Sequence, residues 1–163
     1  MFISKILELY YKILMALMIF IMIILVICVS LQVAGRYIPF IPRYLWTVEF
    51  ANFSLIWLIF LGSIVAVKEE KHFYVNFFFK VLNKHMFLIT RIFYYFIMYS
   101  VSAIFICYGY RYFLMGYIQK SDLTGINLGF VYVTAPLAGL SWFFFLSYNL
   151  FKELKKDKEK III

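Results

Sequence analysis

The chain has 163 residues, of which 66% are apolar, 23% aromatic and only 15% charged, and its net charge is +8. Soluble proteins carry roughly a quarter charged residues, so this composition excludes a soluble domain; at about 20 residues per span the length leaves room for four or five membrane crossings. A nucleic-acid-binding protein is also excluded, because its basic residues would gather on one wettable face, whereas these lie between apolar runs.

Four stretches contain no Asp, Glu, Lys or Arg: residues 13–35, 50–67, 92–110 and 123–151. They predict an all-α integral membrane protein, residues 1–163 forming one domain with spans at about 13–35, 47–67, 92–112 and 127–151. The first stretch exceeds the apolar core of a signal peptide, so we expect it to be retained as a helix. Pro136 should bend the fourth helix, because proline removes a backbone donor.

The segment between the second and third spans, residues 73–90, predicts a short amphipathic helix at the membrane surface. Its polar residues Asn76, Lys80, Asn83 and Lys84 share one helical face, and most of the others are aromatic or aliphatic. The alternative is an extension of the third helix into the cytoplasm.

Basic residues define the expected orientation. The N-terminal segment, the middle loop and the tail hold 12 of the lysines and arginines, whereas the other two loops hold only Arg36, Arg43, Arg111 and Lys120. Because basic residues near span ends stay in the cytoplasm, we expect both termini to be cytoplasmic.

Glu49 is the one acid at the start of a span, where a carboxylate is costly unless it is hydrated or paired. We expect a structural charge pairing with Arg36 or Arg111, which stand at the same predicted end of their helices. The alternative is an ion or proton site at Glu49, but the sequence offers no second buried acid to form a proton relay with it.

Enzymatic and metal-binding functions lack the residues they need. Cys28 and Cys107 fall inside apolar runs and are expected to be packing residues. His72 and His85 lie in the basic middle segment, with no carboxylate pair facing them from a helix. We therefore expect no enzyme, no metal and no cofactor in this chain.

The stretch from residue 36 to residue 76 resembles a known family. Its elements, in order and spacing, are Arg36, Trp46, Glu49, Trp57, Phe60-Leu61-Gly62, Lys68, His72 and Val75-Asn76. This series is similar to the DctQ-type small membrane subunit of tripartite ATP-independent periplasmic (TRAP) transporters. The chain departs from the family pattern at Val48, where a second acid is usual, and at Asn76, where Asp is frequent.

The resemblance implies an accessory subunit in the bacterial inner membrane that embraces a large, separate membrane subunit, one to one. The implied partners are that subunit, the lipid bilayer and a periplasmic substrate-binding protein. In such systems the large subunit handles sodium and carries an organic acid, of the sialic acid or C4-dicarboxylate class.

Several residues are expected to serve these contacts. Small residues one turn apart allow helices to approach closely, and large aromatics fill the interface. The predicted large-subunit interface comprises Trp46, Trp57, Phe60, Gly62, Gly125, Gly129 and Gly139, and the predicted binding-protein docking site comprises Arg43 and Lys120.

Two other functions remain open at this point. One is a homodimeric small multidrug-type exporter of cations that uses Glu49, although this residue lies at a span end. The other is a membrane chaperone or assembly factor for a different complex.

Overall fold

The computed structural model describes the backbone of residues 2–69 and 84–162 and the side chains of residues 5–69 and 89–152. These residues form five helices: α1 (Phe2–Tyr37), α2 (Trp46–Glu69), α3 (Lys84–Ile118), α4 (Gly129–Tyr132) and α5 (Thr134–Ile162). Four segments are long and apolar enough to cross a membrane: Lys5–Tyr37, Trp46–Glu69, Ile89–Ile118 and Gly129–Lys152. The predicted all-helical membrane protein with four spans is confirmed.

The helices extend beyond the predicted spans at most ends, because the absence of charge marks only the apolar core of a helix. Positions 73–83 of the predicted interfacial helix lie outside the described residues. Residues 84–90 form the first turns of α3. For this part of the segment, the structure agrees with the alternative, in which the segment extends the third helix.

Helix α5 is the centre of the bundle. It packs against both α2 and α3, and α1 packs along α2. Half of the most apolar window in the α4–α5 span is buried, compared with 11% in the windows of α1 and α3. The outer faces of α1 and α3 are therefore left for lipid or for another protein.

The apolar core forms where α1, α2 and α5 meet. It consists of Leu14, Leu61, Ile64, Ala138, Trp142, Phe145 and Leu146. Phe105 of α3 packs edge-to-face on Trp142, with ring centroids 5.0 Å apart, an arrangement that aromatic pairs prefer. The core therefore joins all four spans through α5.

Helices α3 and α5 approach each other closely because small residues line their contact. The Ser102 hydroxyl, which is fully buried, donates a 2.7 Å hydrogen bond to the Gly139 carbonyl. A Cβ at Gly139 would lie 3.0 Å from both the Ser102 carbonyl and the Ile106 backbone nitrogen. The small-residue spacing in the fourth span thus serves a contact within this chain.

Pro136 lies close to the junction of α4 and α5 in the fourth span. The proline lies in the first turn of α5, and Val133 separates α4 from α5. Proline lacks the N–H that would bond the Tyr132 carbonyl. Val133 nevertheless keeps a right-handed helical conformation, and the Val133 and Leu137 amides donate to the Gly129 and Val133 carbonyls at 2.9 and 3.2 Å, so the helical path continues through the junction. The Thr134 hydroxyl donates to the Val131 carbonyl at 2.7 Å and satisfies one acceptor there.

Candidate functional site

One end of the bundle, which we call the loop end, carries the connection between α1 and α2 and the segment 119–128. This segment forms a tight turn, the hairpin loop. The Ser121 amide donates to the Ile126 carbonyl at 2.8 Å, and the Leu128 amide donates to the Gln119 carbonyl at 3.0 Å. Gly125 has φ +68°, a left-handed conformation that glycine adopts without strain. Backbone hydrogen bonds therefore hold the loop in one shape.

Asn127 attaches the hairpin loop to the helices on either side. Its amide nitrogen donates to the Tyr117 carbonyl at 2.7 Å, and its amide oxygen accepts from the Gly129 amide, also at 2.7 Å. A Cβ at Gly129 would lie 2.8 Å from that oxygen. The small size of Gly129 is therefore explained by this connection between α3 and α4.

Glu49 joins the hairpin loop to the first turn of α2. Its carboxylate accepts hydrogen bonds from the Leu123 amide at 2.9 Å, the Thr124 amide at 2.9 Å and the Thr124 hydroxyl at 2.6 Å. The Ser121 side chain also interacts with the carboxylate. Hydrogen bonds to an ionised acceptor are stronger than those between neutral groups, so Glu49 acts as a staple across the loop end.

Arg36 and Arg111 are exposed at the same end. In the described side chains no ion pair joins either of them to Glu49, and the acid's hydrogen-bond partners all belong to the hairpin loop. These partners could not be expected from a pattern of opposite charges, because two of the donors are backbone amides, which every residue type except proline supplies.

The four basic residues of the loop end all lie on its surface. Arg43 and Lys120 are exposed, as are Arg36 and Arg111. The Arg43 Nε atom donates to the Gly35 carbonyl at 3.4 Å, which holds the α1–α2 connection against the end of α1. The acids at this end are Glu49, which is hydrogen-bonded to the hairpin loop, and Asp122. Because the basic residues outnumber these acids, the surface is net positive.

The aromatic residues predicted to contact a large subunit lie in two different environments. Trp46 is 43% exposed at the start of α2 and packs edge-to-face on Phe50 at 5.7 Å. Trp57 and Phe60 pack in part against the apolar core of this chain, and Phe60 also contacts the ring of Phe105 at 6.0 Å. Trp46 is thus the aromatic residue of the three that is most available to a partner.

The four glycines predicted at that interface also differ. Gly129 and Gly139 serve contacts within the chain, as described above, and Gly125 lies in the hairpin loop. A Cβ at Gly62 would meet only the Met18 Cε atom, at 3.7 Å. Gly62 is therefore the member of the set that neither close packing nor a left-handed backbone conformation in this chain requires to be glycine.

Gly62 lies on an apolar groove between α2 and α3, with α5 at its base. The groove has a volume of about 420 Å³ and is lined by Gly62, Ser63, Ala66, Val67, Met98, Val101 and Trp142. Trp142 is 9% exposed, and its indole N–H has no hydrogen-bond partner in the described part of the chain. The groove thus presents an open, apolar wall.

The opposite end of the bundle, which we call the tail end, carries charged residues from three helices. The Lys68 ammonium lies 3.2 Å from the centroid of the Tyr11 ring, and the Tyr11 hydroxyl donates to Glu69 at 2.5 Å. His72 and Asn76, which continue the predicted family motif after Lys68, lie outside the described residues. Among the described residues no group of three or more His, Cys, Asp or Glu is placed to hold a metal ion.

Comparison with known proteins identifies the chain's relatives. A family model described as "Tripartite ATP-independent periplasmic transporters, DctQ component" matches residues 25–156. A protein of Haemophilus influenzae, provisionally named a TRAP transporter small permease protein, is 29% identical over 117 residues, which cover 69% of this chain and 68% of that protein. The matched region includes α2, α3, α4 and the membrane-spanning part of α5.

Proposed function

This chain belongs to the DctQ family of TRAP transporter components, and we propose that within the transporter it holds the large membrane subunit in the bilayer and helps to dock the periplasmic substrate-binding protein. It is a small permease subunit and a multi-pass membrane protein. In this proposal the transporter takes up an organic acid of the sialic acid or C4-dicarboxylate class, and the large subunit handles the coupled sodium.

The scaffold proposal rests on the apolar groove. Trp142 lies eight residues after the start of α5 and ten before Lys152, so at about 1.5 Å per residue it stands near the middle of the span. The groove is an apolar surface at this depth, and its small residues Gly62, Ser63 and Ala66 support close packing of a helix from a protein partner.

A direct transport role has less support. Secondary transporters bind substrate near the bilayer midplane, between interrupted helices and polar groups. In the described residues the polar and charged clusters lie at the two ends of the bundle, and the junction of α4 and α5 at Val133 lies near the loop end. The exporter alternative needs an accessible acid, whereas Glu49 is hydrogen-bonded to the hairpin loop.

We propose that the loop end faces the periplasm and the tail end the cytoplasm of a bacterial inner-membrane protein. The support is the distribution of basic residues, of which 12 belong to the segments of the tail end and four to the loop end. This orientation presents Arg43 and Lys120 to a periplasmic binding protein.

Partner capture tests the scaffold role. The tagged chain, expressed with its chromosomal neighbours and purified in mild detergent, should carry a larger multi-span protein at one-to-one stoichiometry, measured by mass spectrometry. Gly62→Leu should lose most of this partner, because the leucine side chain would extend into the groove, whereas Gly62→Ala should retain it. Recovery of a homodimer alone, with affinity for lipophilic cations, would refute the scaffold role.

Charge reversal tests the docking role. The double variant Arg43→Glu, Lys120→Glu should lower the apparent affinity for the binding protein about tenfold at low ionic strength, because surface charges steer association. Uptake into proteoliposomes, measured against binding-protein concentration, reports this change. Lys12→Glu, at the tail end, is the matched control. Unchanged uptake by the double variant would exclude docking through these two residues.

A further inference from the structure

A cavity of about 270 Å³ lies at the tail end, between α1, α2 and α5. Its polar lining comes from Glu8, Lys68, Glu69, Tyr148, Asn149 and Lys152. Its apolar base is formed by Leu7 and by Phe145, which is 1% exposed. The cavity is separate from the hairpin loop and from the apolar groove.

Asn149 is the residue that points to a ligand. Asn149 is 7% exposed and lines the cavity. Among the described residues none is hydrogen-bonded to its carboxamide, whose atoms are not sealed in the core. A ligand in the cavity would provide an acceptor for the amide N–H groups and a donor for the amide oxygen.

Among the described residues that line the cavity, the charges balance. Glu8 and Glu69 both attract Lys68 electrostatically, Lys152 adds a second cation to the lining, and Tyr11 restrains Lys68 and Glu69. Two carboxylates and two ammonium groups favour a ligand that carries both a positive and a negative charge. An anionic ligand would meet Glu8 and Glu69 as repulsive neighbours.

The position of the cavity points to a lipid as the source of that ligand. Lys68 and Lys152 stand where the apolar spans end, at the depth of lipid headgroups. The neighbouring face of α1 is apolar and exposed, with Ile6 at 51% and Leu9 at 61% exposure, as a lipid-facing surface is.

We propose that this cavity binds the headgroup of a zwitterionic phospholipid of the phosphatidylethanolamine type. The lipid phosphate lies against Lys68, Lys152 and the Asn149 amide, and the lipid ammonium lies against Glu8. The glycerol end rests on Leu7 and Phe145, with the acyl chains along α1. The lipid would join the ends of α1, α2 and α5, which makes the tail end sensitive to membrane composition.

Native mass spectrometry of the purified full-length chain, with its co-purifying partners, tests this site. At equal added concentrations, phosphatidylethanolamine should bind about fivefold or more tightly than phosphatidylglycerol. Asn149→Leu should weaken phosphatidylethanolamine binding about five- to tenfold, the effect of roughly one lost hydrogen bond. Glu8→Gln, a change at an exposed residue, should remove the preference between the two lipids even if Asn149→Leu does not fold.

Lys12→Gln is the control, since Lys12 is an exposed cation of α1 outside the cavity lining, and it should bind as the unmodified chain does. Equal binding of the two lipids by the unmodified chain would overturn the proposal, as would unchanged selectivity in Glu8→Gln. Free phosphoethanolamine that binds as tightly as the lipid would show that the cavity serves a soluble ligand, and this result would also overturn it.

Discussion

Gly109→Ala should destabilise the folded chain by about 2 kcal/mol, within the range of overpacked contacts. The residue is buried in α3 opposite the first turn of α5, and a Cβ there would lie 2.9 Å from the Pro136 nitrogen and 3.0 Å from its Cδ atom. Because the obstacle is backbone and a proline ring, the helices themselves must separate. Thermal unfolding in mild detergent, followed by circular dichroism, measures the change.

The sign of this effect makes the test informative. In a helix interior, alanine is favoured over glycine by about 1 kcal/mol, so propensity alone predicts that Gly109→Ala stabilises. Gly62→Ala is the matched control, because it gains the same propensity and its Cβ would meet only the Met18 Cε atom at 3.7 Å. If both variants are stabilised equally, α3 and α5 do not pack as described here.

Glu49→Gln should release the hairpin loop from α2. The carboxylate accepts hydrogen bonds from both the Leu123 and Thr124 amides and from the Thr124 hydroxyl, whereas a carboxamide directs one N–H₂ group at donors and is uncharged. We expect hydrogen exchange of the Leu123 and Thr124 amides to rise on the order of tenfold or more, as local opening of the loop becomes easier.

Asp122→Asn provides the comparison for this variant. It removes an exposed carboxylate of the same hairpin loop that does not bind these amides, so exchange at the two positions should stay nearly unchanged. Global unfolding should be affected much less than the loop in both variants. Equal protection in Glu49→Gln and the unmodified chain would show that the backbone hydrogen bonds of the loop hold it without Glu49.

Loss of the staple should also affect docking, if the loop end is the docking surface that we propose. Lys120 forms an isolated antiparallel bridge with Asn127 inside the hairpin loop, so its position depends on the shape of that loop. In the Glu49→Gln variant, we therefore expect weaker association with the binding protein while partner capture through Gly62 remains normal. This result would distinguish the docking role of the loop end from the scaffold role of the apolar groove.

Features that depend on residues close together in the sequence were predictable, and features that depend on distant residues were not. Four spans followed directly from the sequence, because hydropathy over about 20 residues is a local property and the bilayer thickness is constant. The effect of Pro136 is local too, because the missing N–H follows from the residue type alone. The family motif between Arg36 and Asn76 identified the protein's class, which the comparison over residues 25–156 confirmed.

Other features depend on residues that are far apart along the chain. Glu49 was identified as an acid that needs a partner, but its donors lie 74 and 75 positions away and two of them are backbone amides. Gly139 was identified as a point of close approach, but only the packed helices show that α3 occupies it. The cavity beside Asn149 depends on the meeting of three helix ends. The spans and the family could be inferred from the sequence, because both depend on local pattern. The donors to Glu49, the close approach at Gly139 and the surroundings of Asn149 could not, because contacts between helices depend on the rotation and register of the helices.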